Sequence, residues 1–231
     1  MDKRVAVIIP AYNEEKTIAG VVRGVRGLGQ EYQVIVINDS SRDNTTRNAE
    51  AEGAIVVELP VNLGIGGAVQ TGFKYAFDRG FDACVQVDGD GQHPPENIPT
   101  LVGHLFGRDL DIVIGSRFLG GTYRVPFMRT LGIRVISLFL RVTTGMIVRD
   151  TTSGFRAINR RVMDLFSKYY PQDYPEPESL LVARLKGFRV GEVSVDMRCR
   201  EFGFSSITPF RAVYYMTKVM LAMFIDLFRE F

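Results

Sequence analysis

The sequence predicts an α/β protein: a Rossmann-like, mostly parallel sheet flanked by helices, with amphipathic helices added toward the C-terminus. Three observations carry this. Short, unbroken apolar runs alternate with segments of helical spacing between Val5 and Asp88, and such runs fit strands buried on both faces of a parallel sheet. Each run ends in a polar or glycine-rich segment, as expected where a strand gives way to a ligand-facing loop. Beyond Arg129 the character changes to long apolar stretches interrupted by basic residues at helical spacing.

Taken in order, Val5–Ile9 is a strand stopped by Pro10, and a helix follows from Asn13 to about Gly27. Val34–Ile37 is the second strand, leading to a helix from Asp43 to Glu52. Ala54–Leu59 is the third strand, and Gly64–Arg79 reads as a helix with a glycine-rich start. Ala83–Val87 is the fourth strand, ending at Asp88. This alternation implies βαβ units with right-handed crossovers. Further on, Asp111–Gly115 and Val190–Met197 read as strands, and Arg129–Val148, Arg161–Lys168, Glu178–Lys186 and Ser206–Phe231 as helices. Tyr169–Pro177 carries three prolines and reads as a loop.

The 231 residues are 46% apolar and 23% charged, an ordinary globular balance. A net charge of +2 argues against a nucleic-acid-binding surface. Two cysteines, Cys84 and Cys199, do not make a disulfide framework and favour a reducing compartment. Met1-Asp2-Lys3-Arg4 leads directly into a strand pattern, without the layout of a signal peptide. Arg134, Arg141, Lys218 and Asp226 break the apolar stretches, so none offers the ~20 clean residues that span a bilayer.

In an open parallel sheet, ligands bind beyond the carboxyl ends of the strands. Asp88-Gly89-Asp90-Gly91-Gln92 is the sharpest group there. Two carboxylates and an amide oxygen form an all-oxygen set suited to Mg2+ or Mn2+, and the flanking glycines permit close approach of a ligand. The competing interpretation is a solvated Asp/Gly turn. A dinucleotide fingerprint requires G-x-G-x-x-G after the first strand, where Pro10-Ala11-Tyr12-Asn13-Glu14 stands instead. Gly64–Val69 approaches that pattern after the third strand; it reads as a tightly packed helix start whose amides lie near a ligand. Asp39, after the second strand, suits a base or ribose contact, or a helix cap. Arg117, after the fifth, can reach a phosphate or form a surface ion pair. His93 precedes two prolines and reads as a turn residue; His104 is the other histidine.

Together, Val7–Glu15, Val36–Ser41, Asp88–Pro95 and Gly115-Ser116-Arg117 resemble family 2 glycosyltransferases of the GT-A fold. Asp150–Arg156 and Val190–Val193 are similar to the branch of dolichyl-phosphate mannosyltransferase and related polyprenyl-phosphate glycosyltransferases. The resemblance implies an inverting transfer of a hexose from a nucleotide-diphosphate sugar, of GDP-mannose or UDP-glucose type, to a polyprenyl phosphate. It implies donor binding by Pro10, Ala11, Tyr12, Glu14, Ile37, Asp39, Asp88, Gly89, Asp90, Arg117 and Arg200. A Mg2+ or Mn2+ ion would sit on Asp88, Asp90 and Gln92. Arg117, Arg129 and Arg200 would meet the acceptor phosphate, and Asp90 and Arg117 would assist the departure of the nucleotide. A phosphate acceptor is already anionic and requires no general base; a hydroxyl acceptor on a glycan requires one, and Glu178 falls where the family places an acid. Residues 1–206 would form the GT-A catalytic domain, with an amphipathic insertion at about 129–148, and 207–231 a C-terminal amphipathic helix.

Arg134, Ser137 and Arg141 share one helix face amid Leu, Ile, Val and Phe, and Arg211, Lys218 and Arg229 align near the C-terminus. Such faces suit a membrane surface or a packed partner. The expectation is therefore a cytoplasmic protein, peripheral on the cytosolic face of a membrane, with a separate membrane-spanning subunit as a further partner. Two alternatives stand beside the polyprenyl-phosphate reading: transfer to a glycan hydroxyl, and a non-catalytic nucleotide-sugar-binding module.

Overall fold

The computed structural model describes residues 3–120, 127–198 and 209–229, the side chains of 127–129 and 209–215 excepted. Its strands are β1 (Val5–Ala11), β2 (Tyr32–Asn38), β3 (Ile55–Glu58), β4 (Ala83–Gln86), β5 (Ile112–Ser116), β6 (Arg156–Asn159) and β7 (Val190–Ser194). Its helices are α1 (Ile18–Arg26), α2 (Thr45–Ala51), α3 (Gly64–Asp78), α4 (Ile98–Gly107), α5 (Phe127–Thr144), α6 (Arg160–Lys168), α7 (Pro175–Leu185) and α8 (Pro209–Asp226). The strands form one seven-stranded sheet in the order β3-β2-β1-β4-β6-β5-β7. β1 pairs in parallel with β2 and β4, setting Ile8 opposite Ile35 on one side and Gln86 on the other. β6 runs antiparallel between β4 and β5, and β7 is parallel to β5.

The apolar runs are buried on both faces because helices cover both. Side chains alternate across a strand, so one sequence feeds two cores. Ala6, Ile8, Ile35, Ile37 and Cys84 point into the layer shared with α3, α6, α7 and the inner faces of α5 and α8. Val5, Val7, Ile9, Val34, Val36 and Val85 point into the layer shared with α1 and α4. Each fully buried Val or Ile contributes roughly 1.5–3 kcal/mol relative to exposure. Burial also pushes the Cys84 thiol far above its usual range, leaving it an inert packing group.

Four elements differ from expectation. β6 is only four residues long, and its residues Arg, Ala, Ile and Asn show no alternation. α4 covers one face of the sheet behind a short 3-10 turn at Pro95–Asn97, a segment for which the sequence pattern gives no element. α7 begins at Pro175, inside the expected loop, because Pro175 and Pro177 fall in a first turn whose N–H groups have no helical acceptor anyway. β7 stops at Ser194, short of Met197, although the chain keeps hydrogen-bonding irregularly: Val195 N donates to Ser116 O at 3.1 Å and Arg198 N to Gln92 O at 3.0 Å. Val219 and Met223 of α8 belong to the same core as the sheet.

Candidate active site

The carboxyl ends of β1, β2 and β4 open into a cleft of about 240 Å³ lined by Pro10, Ala11, Tyr12, Glu14, Asp39, Ile65, Ala68, Asp88, Gly89, Asp90 and Glu176. Eight of the expected donor residues are thus brought to one wall: Pro10, Ala11, Tyr12, Glu14, Asp39, Asp88, Gly89 and Asp90. Ile65 and Ala68 come from the glycine-rich start of α3.

The loops around the cleft are cross-braced. Asn13, at φ 56°, donates its N–H to Ser41 Oγ (2.9 Å), and its Oδ1 accepts from Arg42 N (2.9 Å). Glu14 N donates to Thr45 Oγ1 at 2.9 Å. Asp39 is buried, and its two oxygens accept from Leu63 N (2.7 Å) and Gly64 N (2.9 Å). It therefore caps α3 rather than the helix that follows it in sequence, and its charge favours the positive end of that helix dipole. Gly64 adopts φ +77°, a left-handed conformation open to glycine. A Cβ on Gly66 would lie 2.5 Å from Gln172 O and 2.6 Å from Pro171 O. The glycines at this helix start thus serve a backbone turn and close packing against the 171–172 loop.

Asp88 and Asp90 flank Gly89 on the cleft floor. The Asp88 carboxylate is half-exposed and Asp90 is nearly buried. Asp90 Oδ1 accepts from Gln92 N at 3.0 Å, which folds the turn. Asp88 N donates to His93 Nδ1 at 3.0 Å, placing the ring proton on Nε2, 3.6 Å from Asp88 Oδ2. His93 is buried and stacks on Phe155 at 5.0 Å, so it supports the turn, as its position before two prolines implies. Gly154 lies under this turn: a Cβ there would sit 3.4 Å from Asp88 Oδ1 and 3.0 Å from Gln86 Nε2.

Arg117 directly follows β5. It is buried, and its Nε and Nη2 grip Asp150 Oδ2 and Oδ1, each at 2.7 Å, while Nη2 also reaches Thr152 Oγ1 at 3.0 Å. Such a bidentate fork fixes geometry. Glu192 completes it, accepting from Arg149 N and Asp150 N at 2.8 Å each. Arg117 is absent from the cleft lining and acts as a positioning residue for the segment that carries Gly154 beneath Asp88. Arg156, which the sequence pattern gave no role, is buried and donates to Ser153 O, Thr151 O and Ser179 Oγ at 2.7–3.1 Å. It ties the same segment to the start of α7.

Three further expected residues lie off the cleft lining. Ile37 is fully buried in the core and leaves no side-chain surface open to a ligand. Gln92 does not line the cleft, while its carbonyl accepts from Arg198 N. Glu178 does not line it either: it is buried near Asp226, Asp173 and Lys218 at the α8 side, with Oε1 lacking a hydrogen-bond partner. Burial, then the nearby Asp226 charge, pushes its carboxyl up to about 7. The acid that α7 brings to the cleft wall is Glu176, whose carboxyl is raised by desolvation against the opposing pull of Arg156. Arg129 lies on α5 with its side chain outside the described part, and Arg200 lies wholly outside the described residues.

Asp88 and Asp90 fit a hard divalent cation, since two carboxylates on one wall of a solvent-open cleft offer oxygen ligands and leave room for phosphate oxygens. Among the described residues there is no cluster of three or more His, Cys, Asp or Glu side chains placed to hold a metal alone. A divalent ion here would thus rely on ligands from its substrate.

Residues 6–166 match the family model described as Glycosyl transferase family 2. Undecaprenyl-phosphate mannosyltransferase of Micrococcus luteus is 35% identical over 89% of this chain and 88% of its own. Polyprenol monophosphomannose synthase of Mycolicibacterium smegmatis is 30% identical over 89% and 82%. A UDP-N-acetylglucosamine–dolichyl-phosphate N-acetylglucosaminyltransferase of Methanococcus voltae is 28% identical over 97% and 99%. Among solved structures, glucosyl-3-phosphoglycerate synthase from Mycobacterium tuberculosis, in complex with Mn2+, UDP and phosphoglyceric acid, superposes with a TM-score of 0.75. It is 26% identical, covering 97% of this chain and 78% of that one. The sheet order, the cleft at the strand ends and the matched residues converge on one conclusion: the chain is a GT-A glycosyltransferase belonging to glycosyl transferase family 2.

Proposed function

We propose that this chain transfers a hexose, with inversion, from a nucleotide-diphosphate sugar to a polyprenyl phosphate at a membrane surface. The observation that carries the reading is the pair Asp88 and Asp90 on the wall of a cleft at the ends of β1, β2 and β4, in a chain whose relatives bear names of polyprenyl-phosphate glycosyltransferases. Tyr12, Glu14 and Asp39 line the part of the cleft that would take the nucleoside. Asp88 and Asp90 would hold Mg2+ or Mn2+ with the diphosphate; bound there, the ion neutralises charge on the leaving group. Arg117, through Asp150, holds the floor beneath Asp88 in place. A phosphate oxygen attacks as an anion, so the protein supplies position and electrostatics instead of a base. Arg129 and Arg200 remain the proposed acceptor-phosphate contacts.

α5 and α8 support the membrane part of the reading. Leu131, Val135, Leu138 and Val142 on α5, and Leu221, Phe224, Ile225 and Phe228 in and just after α8, are exposed at helical spacing. No helix among the described residues is long and apolar enough to cross a membrane. We read this face as lying on the cytosolic leaflet; a membrane-spanning subunit would compete for the same face. The division into residues 1–206 and 207–231 is kept as a functional one, α8 being the piece that meets lipid.

Glu176 favours a second reading. An acid of raised affinity for protons on the cleft wall is suited to deprotonating a glycan hydroxyl. The test is incubation of purified protein and Mn2+ with a panel of labelled nucleotide sugars, with and without a short polyprenyl phosphate. Organic-phase label from one donor, lost in EDTA, is the expected result. Absence of such label with every donor, despite nucleotide binding, rules the main reading out.

A further inference from the structure

A second cavity, of about 480 Å³, lies between α5 and the segment just before Asp150, and among the described residues it shares no lining residue with the donor cleft. Arg134 and Arg141 of α5 and Arg149 line it together. Among the described residues no carboxylate is within ion-pair distance of any of the three guanidinium groups. Some exposed arginines elsewhere are paired, Arg23 with Glu52, Arg189 with Asp109 and Arg198 with Glu96, while among the described residues Arg47 and Arg108 stand singly and not around a shared cavity. Three like charges around one hollow repel one another unless an anion shares them.

The cavity also holds a buried polar atom without a partner. Ser137 lines it, and its Oγ makes no hydrogen bond. Later in the same helix, Thr143 and Thr144 turn their hydroxyls back to the carbonyls of Phe139 (2.8 Å) and Leu140 (2.6 Å). Buried hydroxyls ordinarily find a partner, and rotation of the Ser137 side chain about χ1 would let its hydroxyl meet a ligand oxygen. The rim is apolar: Leu138 and Ile147, both lining the cavity, are 60% and 73% exposed. A small soluble anion gains nothing from such a rim, whereas a lipid satisfies the arginines with its headgroup and the rim with its chains.

We propose that this cavity binds the phosphate of an anionic phospholipid headgroup. The proposal rests on the membrane contact proposed above and names its lipid class. It has a structural consequence for that reading. Arg149 is joined directly to Asp150, which grips Arg117 and leads into the segment under Asp88, so a bound headgroup would orient the donor cleft on the membrane.

The test uses the full chain and vesicle cosedimentation at physiological salt, with phosphatidylcholine alone or mixed with phosphatidylglycerol. The triple variant Arg134→Gln, Arg141→Gln, Arg149→Gln should lose on the order of 100-fold in partition onto the anionic vesicles, each basic residue at such a surface being worth about fivefold. Its partition onto neutral vesicles should be unchanged. A control with the same charge change on other faces, Arg47→Gln, Arg79→Gln, Arg108→Gln, should stay within about threefold of the parent on the anionic vesicles. Ser137→Ala should lose about fivefold without a change in charge. Equal losses in both triples would reduce the effect to net charge and overturn the site, as would an unchanged cavity variant. Saturation of the site by inorganic phosphate or glycerol phosphate, with no preference for anionic vesicles, would make it a soluble-anion site and overturn the lipid assignment. Neutral-vesicle binding that survives either result leaves the membrane reading standing; failure to bind any vesicle removes both.

Discussion

The donor cleft and the α7–α8 side of the molecule satisfy their polar groups in opposite ways. Around the cleft, Asp39 accepts two amides of α3, Asp150 accepts the fork of Arg117, and Asn13, Ser41 and Thr45 lace two loops together. On the α7–α8 side, Glu178 Oε1 and Asp226 Oδ2 are buried without a hydrogen-bond partner, and large apolar residues face outward. The contrast teaches where each half expects its ligand. A cleft whose walls are already braced presents fixed groups to a charged nucleotide and needs little reorganisation at the moment of reaction. A face with buried acids of raised proton affinity and exposed Phe and Leu is matched to apolar surroundings.

The comparison is broken most severely at the brace. Asp150→Ala leaves the buried Arg117 without its bidentate partner, and the expected loss of stability is about 3–5 kcal/mol. Denaturant unfolding reads this directly; a loss below 1 kcal/mol would show that the segment does not depend on the pair. Asp90→Ala should leave the fold intact and lower turnover about 100- to 1,000-fold, equivalent to roughly 2.7–4 kcal/mol of transition-state stabilisation. Steady-state kinetics with the identified donor, beside a melting curve, separate the two effects. Gly66→Ala drives a methyl group into the backbone at Gln172 and Pro171, and overpacking of this kind costs about 1–3 kcal/mol; a neutral result would mean that the 171–172 loop yields easily.

The smallest effect sharpens the other side of the contrast. Glu178 titrates at about 7 in the folded chain, raised from 4.5. The folded state therefore holds this proton more tightly than the unfolded state. Stability from this group is greatest below about pH 4.5, falls as the pH rises toward 7 and is flat above. Asp226, also raised, acts in the same direction. Glu178→Gln removes its part of the slope and should stabilise the protein by about 1–2 kcal/mol at pH 8, a value discounted for solvent screening, and by nothing at pH 4. Melting curves across that range check the sign; a variant less stable at pH 8 would show that the carboxylate makes a favourable contact.

The strands β1 to β4 were legible because each is an apolar run bounded by turn residues, and Asp88 and Asp90 were legible because they follow such a run. Long-range partnerships were not. Arg117 and Asp150 are 33 residues apart, and Arg156 and Ser179 are 23 apart; nothing local marks either arginine as spoken for. β6 escaped notice because its first residue is a buried arginine satisfied by such distant partners. Glu176 and Glu178 face different surroundings because α7 begins at Pro175, and positions two apart on a helix point to opposite sides. Ile37 follows from the resemblance alone, and its side chain is fully buried.

The central claim is that the acceptor is a phosphate whose own charge makes a protein base unnecessary. The most direct test offers the wild-type protein one competent donor and Mn2+ with two acceptors side by side: a short polyprenyl phosphate and the matching polyprenol with a free hydroxyl. The account predicts label on the phosphate alone, undiminished by Glu176→Gln. Label on the polyprenol, abolished by Glu176→Gln, would contradict it and assign Glu176 as a general base.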